Sequence, residues 1–528
     1  MANLLGLGSS LYSIQIFNRY VGYGLDGTLV TLTIGAILAI AFEFIFRAIR
    51  ARLVTGLFTP QDATAHSRLL KHLLTARNDE IVKKPGNYIF STLKQQQQQQ
   101  SVYSAQNLLV LLDFPFALLF IFCVFLLQPV LGVVVVLLST AALVMVYFQY
   151  QRSVGLQQQI LSSSNALDGS LSNGAQHSAV AAFNGQSLLL SRHRGHLIEW
   201  LKNRKQQTES QQVQQNSAQL VSGCTSVAII GVGAVAVTTG NMDIGSLIGA
   251  NILSMRAITV INQAGRVWQS LGQGEALEAE LEQAWAVPEE KRDGAEPSSY
   301  AGKLALKGIT HSYDPKKAPI LNNLNLNLEA GEVIAICGVN GTGKTTIAKI
   351  VTGLIEPTQG QVLIDGVDLR QISIDWWRRN VVYVPQEPTF LNLSLRDNLT
   401  VLADVDDEIL REAVRECGLQ TMVDQHPDGL EQQIRAGGLQ FPPGIRKRLA
   451  LARGLLADGK ILILDEAHEG MDIAGKQVLT QVLHKAAAAG KTIILFSSDK
   501  SVVTDAAHVF DLNTGTFTPR KGVSNGAA

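Results

Sequence analysis

Charge is scarce in this 528-residue chain, where Asp, Glu, Lys and Arg together make up 17% of the residues. The two signs cancel, 44 basic against 44 acidic, so no basic excess marks a nucleic-acid surface and no nucleic-acid partner is expected. Cysteine is rarer still. Cys123, Cys224, Cys337 and Cys417 stand far apart without CxxC spacing. That pattern excludes a disulfide framework or a cysteine metal site and reads as reduced, apolar side chains. No signal peptide is expected, because no charged segment precedes the apolar start and the first basic residue is Arg19.

Apolar residues are plentiful at 46%, and the long runs of them lie before residue 270. A membrane-crossing helix needs about 20 mostly apolar residues to span about 30 Å of hydrocarbon. Thr28–Arg47, Asn107–Leu127, Val130–Gln149, Leu220–Thr239 and Ile244–Asn262 meet that test. Asn3–Tyr20 is shorter and carries Gln15 and Asn18, and it is counted as the sixth span. A soluble core helix would show a polar face at every turn, which Phe114–Leu127 lacks.

Basic residues cluster in two long connections, one with Arg52, Arg68, Lys71, Arg77, Lys83, Lys84 and Lys94, the other with Arg152, Arg192, Arg194, Lys202, Arg204 and Lys205. The short connections at Gly22–Gly27, Gln128–Pro129 and Asn241–Asp243 hold no Lys or Arg. The positive-inside rule therefore puts both long connections and both termini on the cytoplasmic side. The long connections are expected to extend the spans as helices. Within them the glutamine run Gln95–Gln100 reads as a continuing helix, since glutamine is a fair helix former. Glu275–Asp293, acidic and interrupted by Pro288, reads as a linker helix that ends in a loop. The expected organisation is a membrane domain over 1–290, a linker over 291–302, a second domain over 303–520 and a flexible tail over 521–528.

The second domain opens its chemistry at a GxxxxGK[ST] string formed by Gly338, Asn340, Gly341, Thr342, Gly343, Lys344 and Thr345, with Thr346 following. An apolar strand, Val333–Cys337, precedes it and a helix starting at Lys344 follows, the context a phosphate-binding P-loop requires. Glycines let the backbone curl so that N–H groups at the helix start face phosphate oxygens. Lys344 supplies a cation to the β- and γ-phosphates, and the Thr345 hydroxyl can ligate Mg²⁺. Further on, the apolar run Ile461–Leu464 ends in Asp465 and Glu466. Asp465 would hold the Mg²⁺ shell and Glu466 would polarise the attacking water. The fold class expected is a membrane all-α six-helix domain joined to an α/β P-loop nucleotide-binding domain, with ATP and Mg²⁺ as cofactors.

With these motifs the chain resembles the ABC exporters of six-span type over essentially its whole length. The resemblance implies that Tyr313 stacks on adenine, that Gln386 links Mg²⁺ and water to the membrane domain, and that Asp472 is the D-loop aspartate. It implies a second half-transporter as partner, in a homodimer or heterodimer. Leu11–Arg19, Leu112–Leu118 and Gly245–Ser254 are similar to a narrower group, the type I secretion exporters of Gram-negative bacteria. That likeness implies a place in the bacterial inner membrane, an exported protein substrate, and a membrane fusion protein and outer-membrane channel as partners. No peptidase-like domain precedes the first span, so leader cleavage is not expected.

Two positions depart from the family pattern. The signature LSGGQ, placed by the register of Arg446–Arg453, reads Phe441, Pro442, Pro443, Gly444, Ile445. Proline has no N–H, so Pro442 and Pro443 remove two donors, and the serine hydroxyl is gone too. Hydrogen bonds to charged groups are worth roughly 1.5–3 kcal/mol, and their loss from the transition state would slow hydrolysis on the order of 10³-fold. Ser498 stands at the switch histidine and cannot carry a proton as imidazole does. His468, just past Glu466, matches a loop residue and is not its substitute. Three readings stay open: a working exporter subunit paired with a consensus half, a subunit that binds ATP but hydrolyses it poorly, and a lipid or small-molecule exporter.

Overall fold

A computed structural model of the chain describes all residues except 1, 22–25, 173–176, 402, 458, 499–505, 507 and 520–528. Residues 22–25 of the connection Gly22–Gly27 and the expected tail over 521–528 therefore lie outside the described residues. The chain divides into two compact units, Met1–Ala76 with Glu80–Pro288, and Glu289–Ala528 with Arg77–Asp79.

The first unit is helical. Among the described residues five helical stretches are long and apolar enough to cross a membrane. They centre on α1 (Asp26–Thr75), α2 (Ala105–Leu127), α3 (Pro129–Ser172), α4 (Gln186–Thr238) and α5 (Ile244–Trp285). The helical extension of the long connections is seen directly, since α1 has 50 residues and α4 has 53, far more than about 20 needed to span lipid. Phe120, Val124, Leu131, Val135, Ile229 and Leu253 bring α2 to α5 together in one buried apolar cluster.

The sixth expected span takes another form. Asn3–Tyr20 is broken into helices Ala2–Leu5 and Leu7–Gln15 and a π-helical turn Ile16–Tyr20. Its polar residues have structural work. Asn18 hydrogen-bonds Asp243 and accepts the Gly245 N–H at 3.1 Å, so it ties the segment to the start of α5. Gly249 lets the two pack closely, for a Cβ there would lie 2.4 Å from Ile14 Cγ1. Within α2, the buried Asp113 takes Arg50 Nη1 at 2.5 Å, Arg50 Nη2 at 3.0 Å and Asn3 Nδ2 at 2.6 Å, as a carboxylate in an apolar helix must be paired.

The glutamine run lies in the helix Tyr88–Val102, which a turn separates from α2; Gln95 and Gln96 are buried and Gln95 hydrogen-bonds Glu280. The acidic stretch from Glu275 to Trp285 is the end of α5 itself. Beyond it, the whole segment 291–302 expected as a linker belongs to the second unit, as do Glu289 and Glu290. Ala295 bridges Ile372, and Tyr300 is buried with its ring edge-on to Trp376 and Trp377.

Among its described residues the second unit carries ten strands: β1 (Leu304–His311), β2 (Leu321–Leu328), β3 (Val333–Cys337), β4 (Gln359–Ile364), β5 (Val367–Asp368), β6 (Val381–Val384), β7 (Ile461–Asp465), β8 (Thr492–Ser497), β9 (His508–Asp511) and β10 (Thr516–Pro519). An antiparallel sheet runs β2-β1-β4-β5, and a second sheet runs β10-β9-β3-β8-β7-β6 with every neighbouring pair parallel except β10 with β9. The strands β3, β7 and β8 are almost wholly buried, as continuous apolar runs in a parallel sheet covered on both faces should be. Three helices matter for the site: α6 (Lys344–Val351), α7 (Pro443–Leu456) and α8 (Ile473–Ala488).

Candidate active site

Strand order decides which residues meet. In the sequence β3-β8-β7-β6 all four strands point the same way, so their carboxyl ends form one rim, where open α/β sheets place their ligands. The P-loop leaves β3, Ser498 follows β8, Asp465 ends β7, and Gln386 follows β6. Segments separated by up to 160 residues in the chain are thereby set side by side.

The P-loop curls through two left-handed glycines, Gly341 with φ 90° and Gly343 with φ 98°, a region that residues with a Cβ rarely adopt. Lys344 begins α6 and is 6% exposed. Its ammonium donates to Gly338 O at 2.7 Å and Val339 O at 3.3 Å, and it lies 3.1 Å from Glu466 Oε1. The cation expected to meet phosphate is thus held by loop carbonyls and by the carboxylate expected to meet water.

Asp465 is fully buried. Burial pushes its carboxyl upward, while the hydroxyls of Thr345 and Tyr383 and the charges of Lys344 and Lys349 pull the other way. Its Oδ1 has no hydrogen-bond partner among the described residues. A buried, unsatisfied carboxylate oxygen beside a threonine hydroxyl is a hard-oxygen donor set that fits Mg²⁺. Glu466 is nearly as buried, and its side chain is shared between Lys344 and Gln386 Nε2, which donates to Oε2 at 3.3 Å. Burial raises its carboxyl, the neighbouring Glu469 adds to the rise, and Lys344 opposes it.

Tyr313 is open to solvent, with its hydroxyl 3.1 Å from Thr346 Oγ1 and its ring edge-on to His311. An exposed ring held beside the P-loop helix leaves a π-face free for a base. Asp472 caps α8 through its side chain, which accepts the Gly475 N–H at 2.8 Å.

The segment Phe441–Ile445, expected to stand in the place of the signature, lies at the start of α7. Pro442 is the N-cap and Pro443 the first helical residue, and both are exposed, so the helix survives the prolines while its first turn loses donors. Phe441 and Ile445 instead pack against the apolar cluster beneath. Ser498 is exposed at the end of β8. Sequence reasoning passed over Lys447, which is 4% exposed and donates to Glu466 O at 2.7 Å. In the string it is one of three adjacent basic residues, and only the fold tells which of them turns inward.

Substituting Lys344→Ala is expected to weaken Mg-ATP binding about 10- to 100-fold, since charge-assisted bonds to phosphate are lost. Titration of the detergent-solubilised chain with a fluorescent ATP analogue checks this, and unchanged affinity would remove Lys344 from the phosphate site.

Residues 321–469 match the family "ABC transporter". The leukotoxin translocation ATP-binding protein LktB of Mannheimia glucosida is 26% identical over 501 residues, which is 92% of this chain and 69% of the relative. The alpha-hemolysin translocation ATP-binding protein HlyB of Escherichia coli O157:H7 is 25% identical over 526 residues, 97% of this chain and 73% of the relative. A solved bacterial Atm1-family ABC exporter with ATP bound superposes with a TM-score of 0.85 at 18% identity, covering 97% of this chain and 92% of that one, which shows the fold.

Proposed function

We propose that this chain, an ABC-type ATPase domain fused to an exporter-type helical membrane domain, drives export of a protein or peptide across the bacterial inner membrane. The observation that carries the reading is that the likeness to toxin translocation proteins extends over 92–97% of the chain and so includes the membrane unit as well as the ATPase. The asymmetry of basic residues supports a cytoplasmic nucleotide-binding domain. A membrane fusion protein and an outer-membrane channel would complete the path, as in type I secretion.

The chemistry follows from the rim of strand ends. P-loop amides and Lys344 receive the ATP phosphates, and Tyr313 stacks on the base. Thr345, Gln386 and Asp465 would hold Mg²⁺, which supplies charge neutralisation between the phosphates. Phosphate oxygens replace Glu466 and the loop carbonyls around Lys344, and Glu466 is released to polarise water. The reaction site is completed by a second half-transporter whose signature helix closes over the phosphates. Pro442 and Pro443 make this chain a poor donor of that closure, so the pairing favoured is with a different half that has a donor-rich signature. A hydrolysis-poor regulatory subunit is the second reading, favoured by the same prolines together with Ser498.

Deletion of the chain from its host should remove a specific polypeptide from the culture supernatant, and Lys344→Ala at its own locus should reproduce that loss. Unchanged secreted protein with an altered outer lipid composition would replace protein export by lipid export.

A further inference from the structure

Glu466 holds an unusual backbone. Its φ of 48° lies in the left-handed region, which a residue with a long side chain adopts only when its surroundings enforce it. Three bonds do so. Its N–H donates to Phe496 O on β8 at 3.0 Å, and its carbonyl accepts from Glu469 N at 3.2 Å and from Lys447 Nζ at 2.7 Å. The first two come from the neighbouring strand and from the same turn. The third comes from α7, one helical turn after Pro443, and is a buried charge-assisted bond.

The geometry points to Lys447 as a positioning residue for ATP hydrolysis: it fixes the main chain of Glu466 so that the carboxylate faces the γ-phosphate side. A buried ammonium needs compensation, and here the acidic groups facing it are Glu469, Glu466, Asp465 and Glu387. Lys447 also joins α7, the helix that begins with the altered signature, to the water-polarising residue of its own site. Any displacement of the α7 N-terminus by a partner subunit is passed to Glu466 through one side chain.

The inference rests on Glu466 polarising water, and the experiment separates the two ideas. The full chain is purified in detergent as wild type, Lys447→Met, Lys447→Gln and Glu466→Gln. Single-turnover ATP hydrolysis is measured beside retention of Mg-ADP–aluminium fluoride, a transition-state mimic that needs no turnover. Methionine keeps the volume and loses the donor, and glutamine keeps a donor. Lys447→Met should lose about 10- to 100-fold in both measurements, with affinities for Mg-ATP and Mg-ADP unchanged. Lys447→Gln should recover most of that loss. Wild-type behaviour of Lys447→Met beside an inactive Glu466→Gln overturns the inference alone, as does a Gln variant no better than Met, or ATP affinity falling in step with the rate. Normal hydrolysis by Glu466→Gln overturns the reading beneath it.

Discussion

Restoring the donors of the α7 N-terminus, by Pro442→Ser, Pro443→Gly and Ile445→Gln together, should raise the ATPase rate of the purified homodimer by about 10²- to 10³-fold. The structure gives the reason. Pro442 occupies the N-cap, where a serine hydroxyl would normally face an incoming anion, and Pro443 occupies the next position without an N–H. Both are exposed, so the change is made on a surface open to a partner. The helix start offers the partner's nucleotide fewer donors than a consensus turn would, and each charge-assisted bond regained contributes roughly 1.5–3 kcal/mol. Phe441 keeps its apolar packing in the triple variant, whereas Ile445→Gln gives up a partly buried contact with the same cluster, so the fold of the variant is checked by circular dichroism beside its rate. Steady-state phosphate release checks the expectation. A rate that does not move would place the limiting defect elsewhere, with Ser498 the next residue to change.

Glu466→Gln should abolish hydrolysis, by about 10²- to 10⁴-fold, while leaving Mg-ATP bound as tightly as before or tighter. Gln is nearly isosteric, but it cannot accept a proton from water. It also ends the ion pair with Lys344, whose ammonium lies 3.1 Å from Glu466 and is the cation expected to meet phosphate. Because burial and Glu469 raise the Glu466 carboxyl, the wild-type rate should fall as pH is lowered through that raised value and the base becomes protonated. The residual rate of the Gln variant should show no such step. Measuring bound nucleotide and released phosphate across pH on the same samples tests both halves. A variant that hydrolyses at the wild-type rate would remove Glu466 from the chemistry.

The parts of this molecule legible in its sequence are those whose geometry is local. A P-loop is a contiguous turn, so Gly341, Gly343 and Lys344 announce their conformation in order, and an apolar run ending in Asp465 and Glu466 announces a strand end. The helix start at Pro443 was legible for the same reason, since the run Arg446–Arg453 announces a helix and proline suits its first turn. Residues that act across the fold were not. Lys447 is one basic residue among three until α7 is seen against β7. Tyr383 shares Asp465 only because β6 and β7 are neighbours. In the helical unit, apolar runs gave the spans, but Gln15 and Asn18 weakened the N-terminal segment for a reason no run can show: Asn18 is spent on the start of α5, in another part of the chain. The glutamine run likewise read as a helix, whereas its burial depends on partners far away in sequence.

The pairing of Arg50 with Asp113 bears on how the chain is made. A lone carboxylate near the middle of a spanning helix resists partition into lipid by roughly 2.5–3.5 kcal/mol. Asn3 and Arg50, the donors that pair this carboxylate, both precede Asp113 in the chain and so are synthesised before it. The charge in the later helix thus finds its counter-charge and its amide donor on segments already made, and Arg50→Ala is expected to leave that carboxylate without its cation.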